Sequence, residues 1–332
     1  MKADELKSGL ITPFPIEHRD FVGMNDTMFF MGSCFTENMG RTLHALGLAT
    51  FINPFGILYN PVSMARAIEQ IATGYVYTEA DLFYHNGLFL SFDHHGKFEH
   101  PDAGHLLELL NRQTEEARIF LSTANIACLT LGTAYVWYHV AQNQMVANCH
   151  KVPGREFQRY LLTETEVKDS LVKMRQYLKM LNPGIRLLFT ISPVKHLKEG
   201  ITQNALSKAR LLSALCDFMQ DCDRYATDYF PAFEIVNEEL RDHRFYAEDL
   251  AHPSRWTVQY IAQRFAESRM DAECIEYAVA AARWNRMENH QPMDTSAESL
   301  QKWNAQKTEY LREFRNRFPG KVHWPWRLSD GV

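Results

Sequence analysis

Four apolar runs interrupt the polar background of the chain: TMFFMG at 27 to 32, IACLTLG at 126 to 132, IRLLFTIS at 185 to 192 and FEIV at 233 to 236. They are continuous rather than alternating, which predicts strands covered on both faces. Stretches of helical period follow them. The best marked opens with Thr163 and Glu166 as a capping box, keeps Val167, Leu171, Met174, Leu178 and Leu181 on one face, and stops at Asn182-Pro183-Gly184. Similar signals predict helices at 35 to 47, 61 to 73, 103 to 122, 203 to 226 and 254 to 268. Buried strands alternating with helices predict a layered α/β fold around a parallel sheet.

Two segments break the alternation. Residues 82 to 100, with Asn86-Gly87 at the centre, and residues 135 to 149 both read as hairpins inserted into the α/β domain, placed to shape a pocket. From about residue 270 the chain turns helical and rich in Arg and Trp. There Thr295 and Glu298 cap a last helix whose Leu300, Trp303, Tyr310, Phe314 and Phe318 fall near one face. This divides the chain into a domain at 1–270 and a helical extension at 271–332, packed on it or, as the alternative, serving as an RNA- or partner-binding tail. No internal repeat, low-complexity tract or clear linker is seen.

Composition narrows the function classes. With 332 residues, 46% of them apolar, the chain can fill a large core. The balance of 35 Lys+Arg against 40 Asp+Glu argues against a polyanion-binding protein, so no nucleic-acid partner is expected. The start, MKADELKSGLITPF, lacks the apolar segment of a signal peptide, and no run approaches a membrane span; a cytoplasmic protein is expected. Six scattered cysteines without a C-x-x-C pair read as free thiols, not as a disulfide framework or a zinc site.

The chemistry concentrates where the first strand meets its helix. In FFMGSCFTEN, Gly32 allows a sharp turn, and Ser33 falls at the carboxyl end of the strand, where open α/β sheets bind ligands. A serine there lies among the unpaired N–H groups of a helix start, which favour developing negative charge, although a serine before a helix is more often just an N-cap. Far along the chain, FYAEDLAHPSRW holds Asp249 and His252 three residues apart before another predicted helix. One loop can thus bring an imidazole to the hydroxyl and a carboxylate to hold its tautomer.

With these stretches in place, MGSCFTENMG resembles the motif of the GSCFA family, with Thr36 where the family name has alanine. INPFGILYNP, LTLGTAYVWY, NCHKVP, TISPVKHLKEG and EDLAHPS resemble its further segments, in order, over roughly residues 10 to 265. That family is grouped with the SGNH, or GDSL-type, hydrolases. The resemblance implies a flavodoxin-like three-layer α/β/α sandwich and ester hydrolysis without a cofactor, with Ser33 as nucleophile, His252 as base and Asp249 as its orienter. It also implies an oxyanion hole from the serine N–H, a glycine N–H, here Gly56, and an asparagine side chain. The asparagine is absent: after Gly132, the G-x-N-D turn carries Ala134 and Tyr135. A lost donor of this kind typically costs about 10²–10³ in kcat. Asn148 and then His150, in VANCHKVP, are the candidate replacements.

Other readings compete. Cys34 at a helix start can itself be a nucleophile, although the resemblance makes it a small side chain packed under the helix. His85, His94, His95 and His100 with Asp93 suggest a metal, but lack ligand spacing and read as a hairpin surface, so no metal is expected. Ser192-Pro193-Val194-Lys195-His196 follows a buried strand, which puts His196 among candidate substrate contacts. No P-loop, G-x-G-x-x-G or G-x-S-x-G motif occurs. Two functions remain. One is an esterase or acyl transferase that removes an acyl group, for instance acetyl, from a carbohydrate or other small molecule; the other is a binding module on a degenerate hydrolase scaffold.

Overall fold

The computed structural model describes residues 11–290 and 296–319. The chain opens with β1 (Thr27–Gly32), α1 (Cys34–Ala45), β2 (Ala49–Ile52) and α2 (Pro61–Thr73). A first excursion follows, β3 (Phe83–His85), β4 (Leu88–Leu90) and β5 (Glu99–His100), and then α3 (Ala103–Thr123) and β6 (Ile126–Leu131). A second excursion holds β7 (Tyr135–His139), β8 (Gln144–Val146) and β9 (Phe157–Leu161), and leads to α4 (Glu164–Leu181), β10 (Arg186–Ile191), α5 (Ile201–Gln220) and β11 (Thr227–Tyr229). The short α6 (Ala232–Glu234) runs into a π-helical turn, Ile235–Leu240, and α7 (Arg255–Arg269), α8 (Ala272–Asn289) and α9 (Ala297–Arg317) complete the described chain.

Five strands form one parallel sheet in the order β11-β10-β6-β1-β2. The side chains of β1 show why its apolar run does not alternate. Met28 and Phe30 enter a core with Leu43, Ile261, Phe265 and Tyr277, while Phe29 and Met31 enter a second core with Ile68, Leu110, Leu171 and Leu211. Helices therefore cover both faces of the sheet, as a three-layer α/β/α sandwich requires. The first core continues outward through Trp284, Phe314 and Phe318, so α8 and α9 pack on the same side as α1 and α7.

Several expected elements are displaced. The run FEIV is helical, because Ala232, Ile235, Val236 and Leu240 follow a helical spacing and all enter the first core. The edge strand is instead β11, in which Asp228 pairs with Arg19 at 2.9 Å and Arg269 at 2.7 Å. The short, half-buried β2 carries no strong pattern. Each hairpin gains a third strand, β5 or β9, and the Asn86-Gly87 turn has φ of 51° and 87°, the left-handed values such a turn needs. Thr295 lies outside the described residues, and α9 is capped by Ser296, whose hydroxyl accepts the Ser299 N–H. Among the described residues no helix is long and apolar enough to cross a membrane.

Sheet order fixes where ligands can enter. After β1 the chain adds β2 on one side and later β6 on the other, so the loops beyond β1 and β6 diverge and leave a crevice at their carboxyl ends.

Candidate active site

The crevice is bounded by the ends of β1, β2, β6 and β10, tied together through the backbone. Leu58 N–H donates to Gly32 O at 3.0 Å, Gly132 and Thr133 N–H both donate to Tyr59 O, and Ser192 N–H donates to Leu131 O. Lys195 N–H donates to Ala251 O at 3.0 Å, which brings the loop containing Asp249 and His252 to the end of β10.

Gly32 has φ of +148°, and a Cβ there would lie 2.3 Å from Thr130 O, so only glycine fits between β1 and β6. Ser33 is the N-cap of α1 but makes no side-chain cap. Its hydroxyl donates to Ser192 Oγ at 3.0 Å, and both serines are fully buried. Cys34, the first helical residue, is half-buried. Burial pushes its thiol pKa up, opposed by the N–H groups of Phe35 and Cys34 itself and by the charge of Lys208.

Asp249 and His252 meet as the spacing suggests. His252 Nδ1 lies 2.6 Å from Asp249 Oδ2, while Asp249 Oδ1 accepts the N–H groups of Ala251 and His252. Those two N–H groups hold the Asp249 carboxyl down at about 2. With Nδ1 turned to the carboxylate, Nε2 is the nitrogen left for chemistry. Both side chains are about half exposed, and among the described residues no hydrogen bond joins His252 to Ser33 or Cys34.

The remaining predicted residues separate into two groups. Gly132 and His196 belong to the crevice: His196 edges onto Tyr59 at 5.3 Å, and a Cβ on Gly132 would lie 3.5 Å from its Nε2. That nitrogen is buried and has no partner among the described residues, and burial, with Lys208, Arg159 and His252 nearby, lowers the imidazole to about 3. Gly56, at φ of +73°, packs against His95, and its N–H is already donated to Asn53 O at 2.8 Å. Asn148 and His150 lie among the small sheets: Asn148 Oδ1 accepts the His150 N–H, and His150 Nε2 bonds Ser91 O at 2.8 Å. Of the histidines weighed as metal ligands, His94 is fully buried, stacks on Phe55 at 4.4 Å and is lowered to about 3 by burial. Asp93 pairs with Arg66 at 2.9 Å. Among the described residues no three His, Cys, Asp or Glu side chains converge as a metal-ligand set.

Two residues at the crevice were not anticipated. Lys208 of α5 is buried, and its Nζ donates to Gly132 O at 2.5 Å and Ser192 O at 2.6 Å, clamping the ends of β6 and β10; burial lowers it to about 7. The signal was legible, since Lys208 shares a stripe with Leu211, Leu215 and Phe218, where an apolar residue belongs. Asn53 accepts the Gly32 N–H on Oδ1 at 2.9 Å, has φ of 46°, and leaves Nδ2 buried with no partner among the described residues.

The model of the GSCFA family matches residues 27–265, which include the whole parallel sheet and the crevice. The chain belongs to the GSCFA family. No curated protein matches it in sequence. Among solved structures it is similar to a carbohydrate esterase family 3 from Talaromyces cellulolyticus, at a TM-score of 0.36 and 11% identity, covering 72% of this chain and 94% of that one.

Proposed function

We propose that the protein is an ester hydrolase or acyl transferase of the SGNH type, acting on a small acylated molecule such as an O-acetylated carbohydrate through an acyl-enzyme. The observation that carries this reading is the 2.6 Å pair of His252 and Asp249 on a loop bonded to the end of β10, beside the crevice into which the Gly32–Cys34 turn opens. A carboxylate-held imidazole has no packing role at such exposure; as a general base it is what acyl transfer needs. The sequence-derived assignment gives attack to Ser33, proton transfer to His252 and imidazole orientation to Asp249. Gly132 and His196 then border the acyl group. Gly56, Asn148 and His150 are left as contacts to the rest of the substrate.

One observation favours the second reading, a binding module without turnover: the Ser33 hydroxyl is fully buried and engaged with Ser192. The test is treatment with a fluorophosphonate and a panel of acetylated sugars, with Ser33→Ala and His252→Ala alongside. Turnover that needs His252 supports the enzyme. Well-folded protein that binds a sugar ester but releases no acid supports the module.

A further inference from the structure

We propose that Cys34, rather than the adjacent serine, carries the acyl group, and that the side-chain amide of Asn53 is the donor that receives the oxyanion. The inference rests on the acyl-transfer reading above and assigns its nucleophile.

Access favours the thiol. From Met28 to Thr36 every residue is buried except Cys34, which is half-buried and packs in part against the first core, so of this stretch it is the residue that solvent approaches. Ser33 is fully buried and would have to leave its 3.0 Å bond to Ser192 Oγ before it could attack. That bond makes Ser33 a positioning residue: it pins the start of α1 to the end of β10.

The surroundings of the thiol point the same way. At the first position of α1 it faces the helix N–H groups of Phe35 and Cys34, which stabilise negative charge on sulfur. Lys208 acts on it in the same direction, and His196 feels both Lys208 and His252, so these groups share one electrostatic neighbourhood. Burial, joined by the charge of Glu37, outweighs these influences at rest, which keeps the group a thiol and gives His252 its task.

Asn53 bears on the site independently. It is 2% exposed, and its Nδ2 has no partner among the described residues. A buried N–H left unpaired is costly and rare, and an oxyanion forming beside the turn would pair it. Its own Oδ1 bond to Gly32 N–H holds the amide there, and the G-x-N-D asparagine is replaced by Ala134 and Tyr135 in this chain. Gly56 cannot serve as easily, because its N–H is committed to Asn53 O.

As Sγ bonds to the ester carbonyl carbon, the thiol proton passes to His252 Nε2 and the carbonyl π pair moves to oxygen, toward Asn53. Collapse restores the carbonyl, breaks the bond to the alkoxy oxygen and releases the alcohol with the proton from the imidazolium. Water, deprotonated by His252, then cleaves the thioester to the carboxylic acid and regenerates the thiol.

The experiment incubates the full-length protein with p-nitrophenyl acetate, quenches it in acid and maps acetyl groups by peptide mass spectrometry. The expected result is an acetyl on Cys34 that neutral hydroxylamine removes, persists in Ser33→Ala and vanishes in Cys34→Ala, with turnover lower by about 10²-fold or more in the latter. Should Cys34→Ala fail to fold, Cys34→Ser serves the same purpose, its adduct becoming hydroxylamine-resistant. Asn53→Asp, which keeps the acceptor and loses the donor, is expected to lower kcat by about 10²–10³-fold. An acetyl found on Ser33 overturns the proposal and leaves the acyl-transfer reading standing. Turnover without an acetyl on either residue also overturns it, and neither turnover nor adduct takes the parent reading down with it.

Discussion

The turn after β1 and the loop before α7, which carry the two halves of the proposed chemistry, sit in contrasting environments. The turn is held from every side: Gly32 is wedged against Thr130, its N–H is taken by Asn53, and Ser33 is buried against Ser192. The loop leaves Asp249 and His252 about half exposed, bonded mainly to each other and to their own backbone. Substitutions in the turn should therefore lower stability and activity together, whereas substitutions in the loop should lower activity alone.

The strongest test of that contrast is His252→Ala. It is expected to lower kcat by about 10²–10⁴-fold, as loss of a general base does, with no change in the urea midpoint. A clear drop in stability would break the comparison. Gly32→Ala is the counterpart in the turn. Its new Cβ would meet Thr130 O at 2.3 Å and Thr36 Oγ1 at 2.7 Å, so about 1–3 kcal/mol should be lost in urea unfolding along with activity.

Lys208→Met sharpens the comparison through pH. The folded state holds this amine at about 7 against 10.5 for the free group, so between those values the unfolded chain binds the extra proton and wild-type stability gains with rising pH. That gain should be absent from the Lys208→Met variant, which should also be less stable by about 1–3 kcal/mol at high pH, where Gly132 O and Ser192 O lose their donor. Identical pH profiles for the two proteins would refute the clamp.

Acid supplies the mildest test. His94 and His196 are both held near 3 by burial, below the ordinary value of 6.5, so the unfolded chain takes up their protons first and stability falls as pH drops from 6.5 toward 3. His94→Phe, which retains a ring over Phe55, should flatten part of that fall between pH 6.5 and about 5 without altering kcat at about pH 7. A profile as steep as that of the wild type would show that His94 does not titrate in this way.

Much of this was readable because it rests on local chemistry. The spacing of Asp249 and His252 is short enough for one loop to close, and the capping box of Thr163 and Glu166 forms as expected. The strands that begin at residues 27, 126 and 186 appear where continuous apolar runs stand, because a strand between two helical layers must be apolar on both sides. FEIV misled for a related reason: four residues of this kind fit a buried strand or a buried helix equally well, and only the contacts of Ile235, Val236 and Leu240 decide. Lys208 and Asn53 were missed because a lysine in a helix ordinarily faces water, and an asparagine before Pro54 ordinarily makes a turn.

Periodicity, caps and short spacings act over a few residues, which is why the layered α/β architecture and the contact of Asp249 with His252 could be read from the chain alone, and the family from its motifs. Which atoms of that turn face solvent was settled only on folding. Burial of Ser33 against Ser192, partial exposure of Cys34, the reach of Lys208 to two strand ends and the spare amide of Asn53 all depend on strands and helices far apart in sequence closing on one crevice. No local pattern encodes that meeting, because the free energy that fixes it comes from packing the sheet between its two helical layers.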